Sequence, residues 1–567
     1  MEFHLNDFAH LVDGDDWTLA LQEALHHCKL HPGSTLHLDG GTKHFRKKYT
    51  AEHEYLINTN DFAPGHKYIV FHIIGFDGLT IDGDGADLFF HGTINPFVID
   101  HSNDVTLRNF NVDYEHPFYL QGKIVDADEH HCEVEYDTSV YEITLGTDSI
   151  TFGWKADDWT YKVERMLTTE FDAETGTPYP YHPDYFVCFP EHPEDDSLSG
   201  MNRYMKASLP APGRLLLKGE IGFKPKEGNI LVSTWNWRYN PGVFATDSRN
   251  FVLRDVNLYH TAAMGFIGQL CHNITMERFN TVVRPGSGRC MSVCADSTHF
   301  VCCSGTIRFE SCRFLNMMDD AGNIHGLYMP YVRTIDDHTL LVKFKHPGQA
   351  GLNPFSPGDK VEIVDTRIMQ PVTELTVKSS ELFNVNLVRL ELEEKVPPMR
   401  EEYVVDNITK MPEVYINNCE TGDNRPIGFR LRSRKHTEVT NSLFHNMAFG
   451  LLVSGDTYWG NESGPSKDVV IRHNRFVNAA YAMGSAICIS TNPDVGGHPY
   501  HSNILIEDNY FEQQDKRFLD ACSATNLVFR NNTYHLNPNL PAKGRTGEDG
   551  VLVQDCPNAQ IEPAKEV

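Results

Sequence analysis

Short stretches of alternating apolar and polar residues recur along the chain, most of them entered through an Asn, Asp or Gly. The series begins with DGLTIDGDG (77–85), NDVTLRNFNV (103–112), RNFVLRDVNL (249–258), HNITMERFN (272–280) and GTIRFESCRF (305–314). It continues with PEVYINNC (412–419), TEVTNSLF (437–444), KDVVIRHNRF (467–476), SNILIEDNYF (502–511) and TNLVFRNNTY (525–534). Alternation of period two predicts strands with one buried face. Their typical separation, about 23 to 35 residues, is that of one supersecondary unit stacked many times. A strand that cannot bury its apolar face alone stacks on a copy of itself. The pattern therefore predicts an all-β fold, a right-handed parallel β-helix. Propeller blades share the period but need four antiparallel strands with tight hairpins, and leucine-rich repeats need L-x-x-L-x-L; the chain carries neither signature.

Asp15 or Asp16 is placed to N-cap a short helix over roughly 17–30, with Leu19, Leu21, Ala24, Leu25 and Cys28 on its apolar side. Pro32–Gly33 ends it, and STLHLDGG follows as a first strand. Such a helix closes the open end of the stack, where a strand edge is otherwise exposed. Two segments break the period. Residues 115–245 are dense in aromatic and β-branched residues with many prolines, and 331–411 read as short antiparallel strands around FSPGDKVEIVD and NLVRLELEE. The predicted division is 1–114 (cap and first rungs), 115–245 (β-rich insertion), 246–330 (rungs), 331–411 (second β-rich insertion) and 412–567 (C-terminal rungs). The remainder suffices for on the order of 14 rungs of about 25 residues.

Charge narrows the partners. The 567 residues include 77 Asp and Glu against 49 Lys and Arg, a formal charge of −28. That balance argues against nucleic acid, an anionic membrane surface or a polyanionic substrate. No apolar run of about 18 residues predicts a transmembrane helix. The N-terminal MEFHLNDFAHLVDGDDW has no basic or apolar leader pattern, and thirteen cysteines, with Cys302 and Cys303 adjacent, form no even framework. Both point to a cytoplasmic protein with reduced thiols. Neither C-x₂-C nor H-E-x-x-H occurs, so no metal and no cofactor are expected. β-Helix flanks often pair, which leaves a homo-oligomer open.

The densest polar constellation is RCMSVCADSTHFVCCSGTIRFESCRFLNMMDDAGNIHG (289–326), holding Asp296, His299, Asp319, Asp320, Asn323 and His325. Asp319 follows Asp296 by 23 residues, about one rung, and neighbouring strands lie about 4.8 Å apart, so their carboxyls can converge. Asp319 and Asp320 share a cleft only if a turn falls there, which Ala321–Gly322 permits. Converging carboxylates repel, so one of them holds a proton near neutrality, as glycoside hydrolysis requires. Turn-forming aspartates at rung corners and calcium ligation are the competing readings.

The string ADSTHF…CSGTIRFESCRF…MDDAGNIHG resembles the core signature of glycoside hydrolase family 110, bacterial exo-acting enzymes that remove terminal α-1,3-linked galactose with inversion. TAAMGFIGQ (261–269), WRYNPGVF (237–244) and GDTYWGNESGP (455–465) are similar to further stretches of that family. The resemblance implies a β-helix with barrel-like insertions and an oligosaccharide or glycan with terminal α-galactose as substrate. It makes Asp319, Asp320 and Asp296 the catalytic carboxylates. Similarity to inverting β-helix glycosidases with a tandem Asp implies Asp319 as general acid, with Asp296 and Asp320 activating water. For sugar contact it raises His325, His299, Asn323, Glu462, Trp459 or Tyr458, Arg289 and Arg238. Each has an ordinary alternative: a packed ring, a loop carboxylate, or an arginine paired with one of the abundant acids. Arg430, Arg432 and Arg434 alternate in GFRLRSRKH and read as a ladder pairing with acids on adjacent rungs rather than as a sugar site.

Two other functions share the fold. A hydrolase of another sugar, polygalacturonase-like or acting on a sulfated galactan, needs basic residues at its subsite. A non-catalytic glycan-binding β-helix needs an exposed aromatic stripe and leaves the carboxylates dispensable.

Overall fold

Each rung turns a corner that an L-residue passes only in the left-handed conformation, and this explains the amides that open the strands. Asn250, Asn273, Asn503 and Asn526 have φ of 55°, 59°, 53° and 57°, and Asn109, Asn418, Asn441 and Asn531 take similar values. Asn tolerates that region because its short polar side chain bonds locally. The computed structural model describes residues 1–61, 65–154, 159–189, 200–234, 238–458, 460–493, 495–539, 544, 547 and 549–567. Its frame is a right-handed parallel β-helix.

Thirteen strands, from Glu2–His4 to Gln560–Ile561, form one face, each paired parallel with the next. A second face runs through eleven parallel strands from Gly65–Ile74 to Val551–Gln554. Inward positions stack like on like. The rings of Phe444, Phe476 and Phe511 follow one another at 4.9 and 5.0 Å with planes within 16°. All three are fully buried, and burying such a side chain is worth about 1.5–3 kcal/mol.

The capping helix spans Thr18–Lys29 and buries Ala20, Leu21, Ala24, Leu25 and Cys28, while Leu19 stays half-exposed. The N-cap position is Trp17, not an aspartate; Asp16 just before it accepts from the Thr18 backbone N–H at 2.9 Å, and Asp15 pairs with Arg46. Ser34–His37 is not the first strand. Glu2–His4 precedes the helix and pairs parallel with Thr35–His37, so the chain's opening residues complete the end rung.

Residues 120–234 contribute an eight-stranded sheet, and Glu142–Val163 a three-stranded one. Val243–Thr246, which the sequence pattern assigns to the insertion, is a rung strand paired parallel with Phe97–Asp100 and Phe266–Gln269. The second β-rich region does not begin at residue 331. A single strand, Gly322–Asp336, lies in the stack at Gly322–Ile324, pairs antiparallel with Val404–Asp406 at Tyr328–Pro330, and then pairs with Thr339–Val342. The second β-rich region is therefore built on a continuation of a rung.

Candidate active site

The site grows from three consecutive rungs of the second face. Thr298–Val301 pairs parallel with Gly322–His325, and Gly322–Ile324 pairs with Phe429–Leu431. Phe300, Ile324 and Leu431 point into the core, so His299, Asn323 and Arg430 stand in register on the outer side. The rungs approach so closely at Gly322 that an added Cβ would lie 2.6 Å from a Phe429 ring carbon.

The three aspartates sit in the turns feeding these strands. The register offset between Thr298 and Gly322 is 24, so the partner of Asp296 across the rung is Asp320, not Asp319 as the 23-residue spacing suggested. The Ser297 N–H donates to the Asp320 carbonyl at 2.9 Å, which continues the same register. Asp319 stands one residue ahead in the turn, its carbonyl accepting from the Asn424 amide at 3.0 Å. Asp296 and Asp320 are each 3% exposed, whereas the Asp319 side chain is 35% exposed and its carboxylate meets Arg238 at 2.9 Å. Arg238 is aimed by a second bond, to the Thr59 carbonyl at 3.1 Å.

Electrostatics separates the three. Burial, reinforced by Asp319, pushes the Asp296 carboxyl up to about 8 against the pull of Arg238 and Arg430. Burial likewise holds Asp320 well above the carboxylate range despite Arg430, whose Nε lies 3.1 Å from Asp320 Oδ2. The other oxygen, Asp320 Oδ1, is buried and has no hydrogen-bond partner. An orphaned buried carboxyl oxygen is costly and needs a reason.

Beneath the carboxyls lies a packed network. His299 Nδ1 meets Asp296 Oδ2 at 2.9 Å, His299 Nε2 meets His325 Nε2 at 2.9 Å, and His325 Nδ1 meets the Gly326 carbonyl at 2.7 Å. Burial lowers both imidazoles to about 4, so both are neutral at pH 7. Glu462 enters on the short strand Glu462–Ser463, antiparallel to Gly326–Leu327. Burial alone would raise its pKa, but Arg432, His325 and Arg430 hold it far below the usual range. Arg432 binds both Glu462 and Asn323 Oδ1, the latter at 3.0 Å.

His299, His325 and Glu462 offer ligand atoms within 4.8 Å of one another. Two nitrogens on one tetrahedral zinc, at about 2.0–2.1 Å each, stand roughly 3.3 Å apart. The Nε2–Nε2 distance of 2.9 Å is a hydrogen-bond separation, and Glu462 is already taken by an arginine. The donor set fits a proton-bearing network better than a metal centre.

The GLAA-B β-barrel domain II family model matches residues 339–402. α-1,3-Galactosidase A of Shewanella woodyi is 30% identical over 531 residues, covering 92% of this chain and 83% of that one. The chain belongs to the α-1,3-galactosidase family, glycoside hydrolase family 110. α-1,3-Galactosidase B of Bacteroides thetaiotaomicron is 29% identical over 556 residues, covering 95% of this chain and 87% of that protein. α-1,3-Galactosidase A of Bacteroides fragilis is 29% identical over 558 residues, covering 96% and 88%.

Within this family frame, the structure sorts the sequence candidates. Asp296, Asp319, Asp320, His299, His325, Asn323, Glu462 and Arg238 come together. Arg289 does not join them: it pairs with buried Asp113 at 2.7 Å and with the Tyr114 carbonyl, on the seam of the first insertion. A buried carboxylate there needs a cation more than the sugar site does. Trp459 lies outside the described residues; its neighbour Tyr458 is 62% exposed. Sequence reasoning left out Arg430 and Arg432, which it treated as ladder residues. All three arginines of the GFRLRSRKH run do pair with acids, Arg430 with Asp320, Arg432 with Glu462 and Arg434 with Glu362. Two of those acids belong to the site, and the run's proximity to the aspartates in the rung order was the available signal.

Proposed function

We propose that this protein is an exo-acting glycoside hydrolase that removes terminal α-1,3-linked galactose with inversion. The observation that carries the reading is the convergence of Asp296, Asp319 and Asp320 on adjoining rungs. Two of them are buried, with burial raising both carboxyls and carrying Asp296 to about 8, and the third is exposed at the rim. The names of the relatives supply the sugar and the linkage.

In an exo-enzyme the terminal sugar fills the pocket and the leaving oxygen faces its mouth. Asp319, the exposed carboxyl, is the general acid that protonates this oxygen, with a proton that the buried pair passes to it within the coupled set. Asp296 and Asp320 lie deeper and hold the attacking water between them; the unpartnered Asp320 Oδ1 is suited to that task. The water gives a proton to a buried carboxylate as its oxygen attacks the anomeric carbon from the face opposite the leaving group. Inversion requires about 6.5–9.5 Å between acid and base to admit this water. The carboxyls share protons as a coupled set, so occupancy shifts among them when sugar displaces solvent. Arg238 and Arg430 keep the charge of the cluster tolerable.

All thirteen cysteines are free thiols, ten of them buried, which supports a reducing compartment and imported oligosaccharides as substrates. The test is release of galactose from a terminal α-1,3-digalactoside by the wild-type chain and by Asp319→Asn. Hydrolysis lost only in the variant supports the reading. No release by the wild type, or full activity in Asp319→Asn, overturns it.

A further inference from the structure

The three contacts of His299 and His325 leave few ways to place protons. A carbonyl oxygen only accepts, so the 2.7 Å contact to Gly326 puts a proton on His325 Nδ1. A neutral His325 then has a bare Nε2. The His299 Nε2 that faces it at 2.9 Å must therefore carry a proton, because two bare nitrogens at that distance would oppose lone pair to lone pair. A neutral His299 has one proton only, so its Nδ1 is bare and must accept from Asp296 Oδ2 at 2.9 Å. The alternatives are an imidazolium at His299 facing an ionised Asp296, and an imidazolium at His325, which its burial disfavours.

The geometry points to a polarised chain, Asp296 to His299 to His325 to the Gly326 carbonyl, that obliges Asp296 and His299 to share one proton. His299 is the positioning residue that takes this proton when Asp296 acts as base. This rests on the proposed role of Asp296. In the resting site the proton sits on the Asp296 oxygen and His299 is neutral. Transfer within the hydrogen bond leaves Asp296 ionised and His299 cationic, still donating Nε2–H to His325. Asp296 then accepts a proton from the attacking water, while Asp319, which has taken up the proton of Asp320 within the coupled set, gives one to the leaving oxygen. Turnover has moved one proton from the Asp319–Asp320 pair to Asp296, and exchange through solvent returns it.

The surroundings suit a transient cation at His299. Glu462, held ionised, faces both imidazoles, with Oε1 3.6 Å from His325 Nε2. Asp319 also acts in favour of a charged His299, and Arg238 and Arg432 against it. Asp296 itself feels Asp319 and Glu462 on one side and Arg238 and Arg430 on the other. Both rings are 1% exposed, so neither is placed to touch a sugar hydroxyl directly.

His325→Gln breaks the polarity without leaving a buried gap, since an amide can accept or donate toward His299. His299 is then free to donate Nδ1–H to an ionised Asp296, and the pair gives up its proton at lower pH. The expected result is a pH profile of kcat/KM displaced toward acid by at least one pH unit, with KM changed less than threefold and an unchanged melting temperature. ¹⁵N NMR of histidine-labelled wild type at pH 6 should show His299 protonated at Nε2 and bare at Nδ1, and His325 protonated at Nδ1. An unmoved pH profile, a ring pattern with His299 Nδ1 protonated and Nε2 bare, or stoichiometric bound metal by elemental analysis overturns the chain. Asp296→Asn separates the two claims: if that variant still turns over, the base assignment itself fails, whatever the histidines do.

Discussion

Two corners of the same stack serve opposite ends. On the first face, Asn474, Asn509 and Asn532 form a buried ladder in which the Nδ2 of Asn474 and of Asn509 donates to the next Oδ1 at 3.1 Å, and all three donate to a neighbouring carbonyl. Each Oδ1 also accepts a backbone N–H, from Ser442, Asn474 and Asn509 in turn. Nothing there is charged and little is left unpaired. On the second face, the corner residues of adjoining rungs are Asp296 and Asp320, equally buried, with raised pKa values and one orphaned oxygen. The neutral corner stabilises the stack. The acidic corner costs stability, and its unpaired capacity is what chemistry can use.

The largest expected effect tests the acidic corner. Asp319→Asn should lower kcat about 10²–10⁴-fold, the range for loss of a general acid. Its melting temperature should change little, because the side chain is part-exposed at the rim. Steady-state kinetics beside thermal unfolding checks both halves.

Asn509→Ala should do the reverse. It strands a buried amide neighbour and several backbone groups, at a cost of about 1–3 kcal/mol for the orphaned partners. The expected result is a lower melting temperature with unchanged kcat in the folded fraction. Activity lost out of proportion to folding would break the contrast between the corners.

The pH dependence sharpens it. Asp296 has a folded pKa of about 8 against an ordinary value of 3.8. The folded state then binds more protons than the unfolded state between those values. Its contribution to stability is complete below about 4 and is lost as pH rises toward about 8. Asp296→Asn removes this dependence and keeps a donor for His299. The variant should be inactive yet gain thermal stability relative to wild type between pH 5 and pH 9. A difference that is flat with pH would show that the carboxyl is not held protonated.

The smallest effect belongs to the solvent side of the rungs. Arg530 and Glu507 pair at 2.8 Å with the arginine half-exposed, so Arg530→Ala should cost about 0.2–1 kcal/mol. High salt should erase that difference.

The repeat was legible because a β-helix writes its period directly: inward Val, Ile, Leu and Phe at every second position, and a left-handed corner at Asn or Asp. The capping helix was legible from Asp16 and from Pro32–Gly33. The aspartates stood out because a tandem pair follows a third acid at about one rung's length, a spacing that lets carboxyls converge. Their pairing was less visible. A one-residue difference in a turn exchanges Asp319 for Asp320 as the partner of Asp296, and alternation alone does not fix turn length. The roles of Arg430 and Arg432 were hidden because their acids arrive from other rungs and from the loop at Glu462. Arg289 misled because its partner, Asp113, lies far away in sequence on the other side of an insertion.

The most direct test of the whole account is proton NMR of the sugar released from Galα1-3Gal during the first minutes of hydrolysis, before mutarotation blurs the anomers. The account predicts β-galactose first. Initial α-galactose would keep the substrate and contradict the inverting arrangement of Asp319 against Asp296 and Asp320, and no galactose at all would contradict the proposed activity.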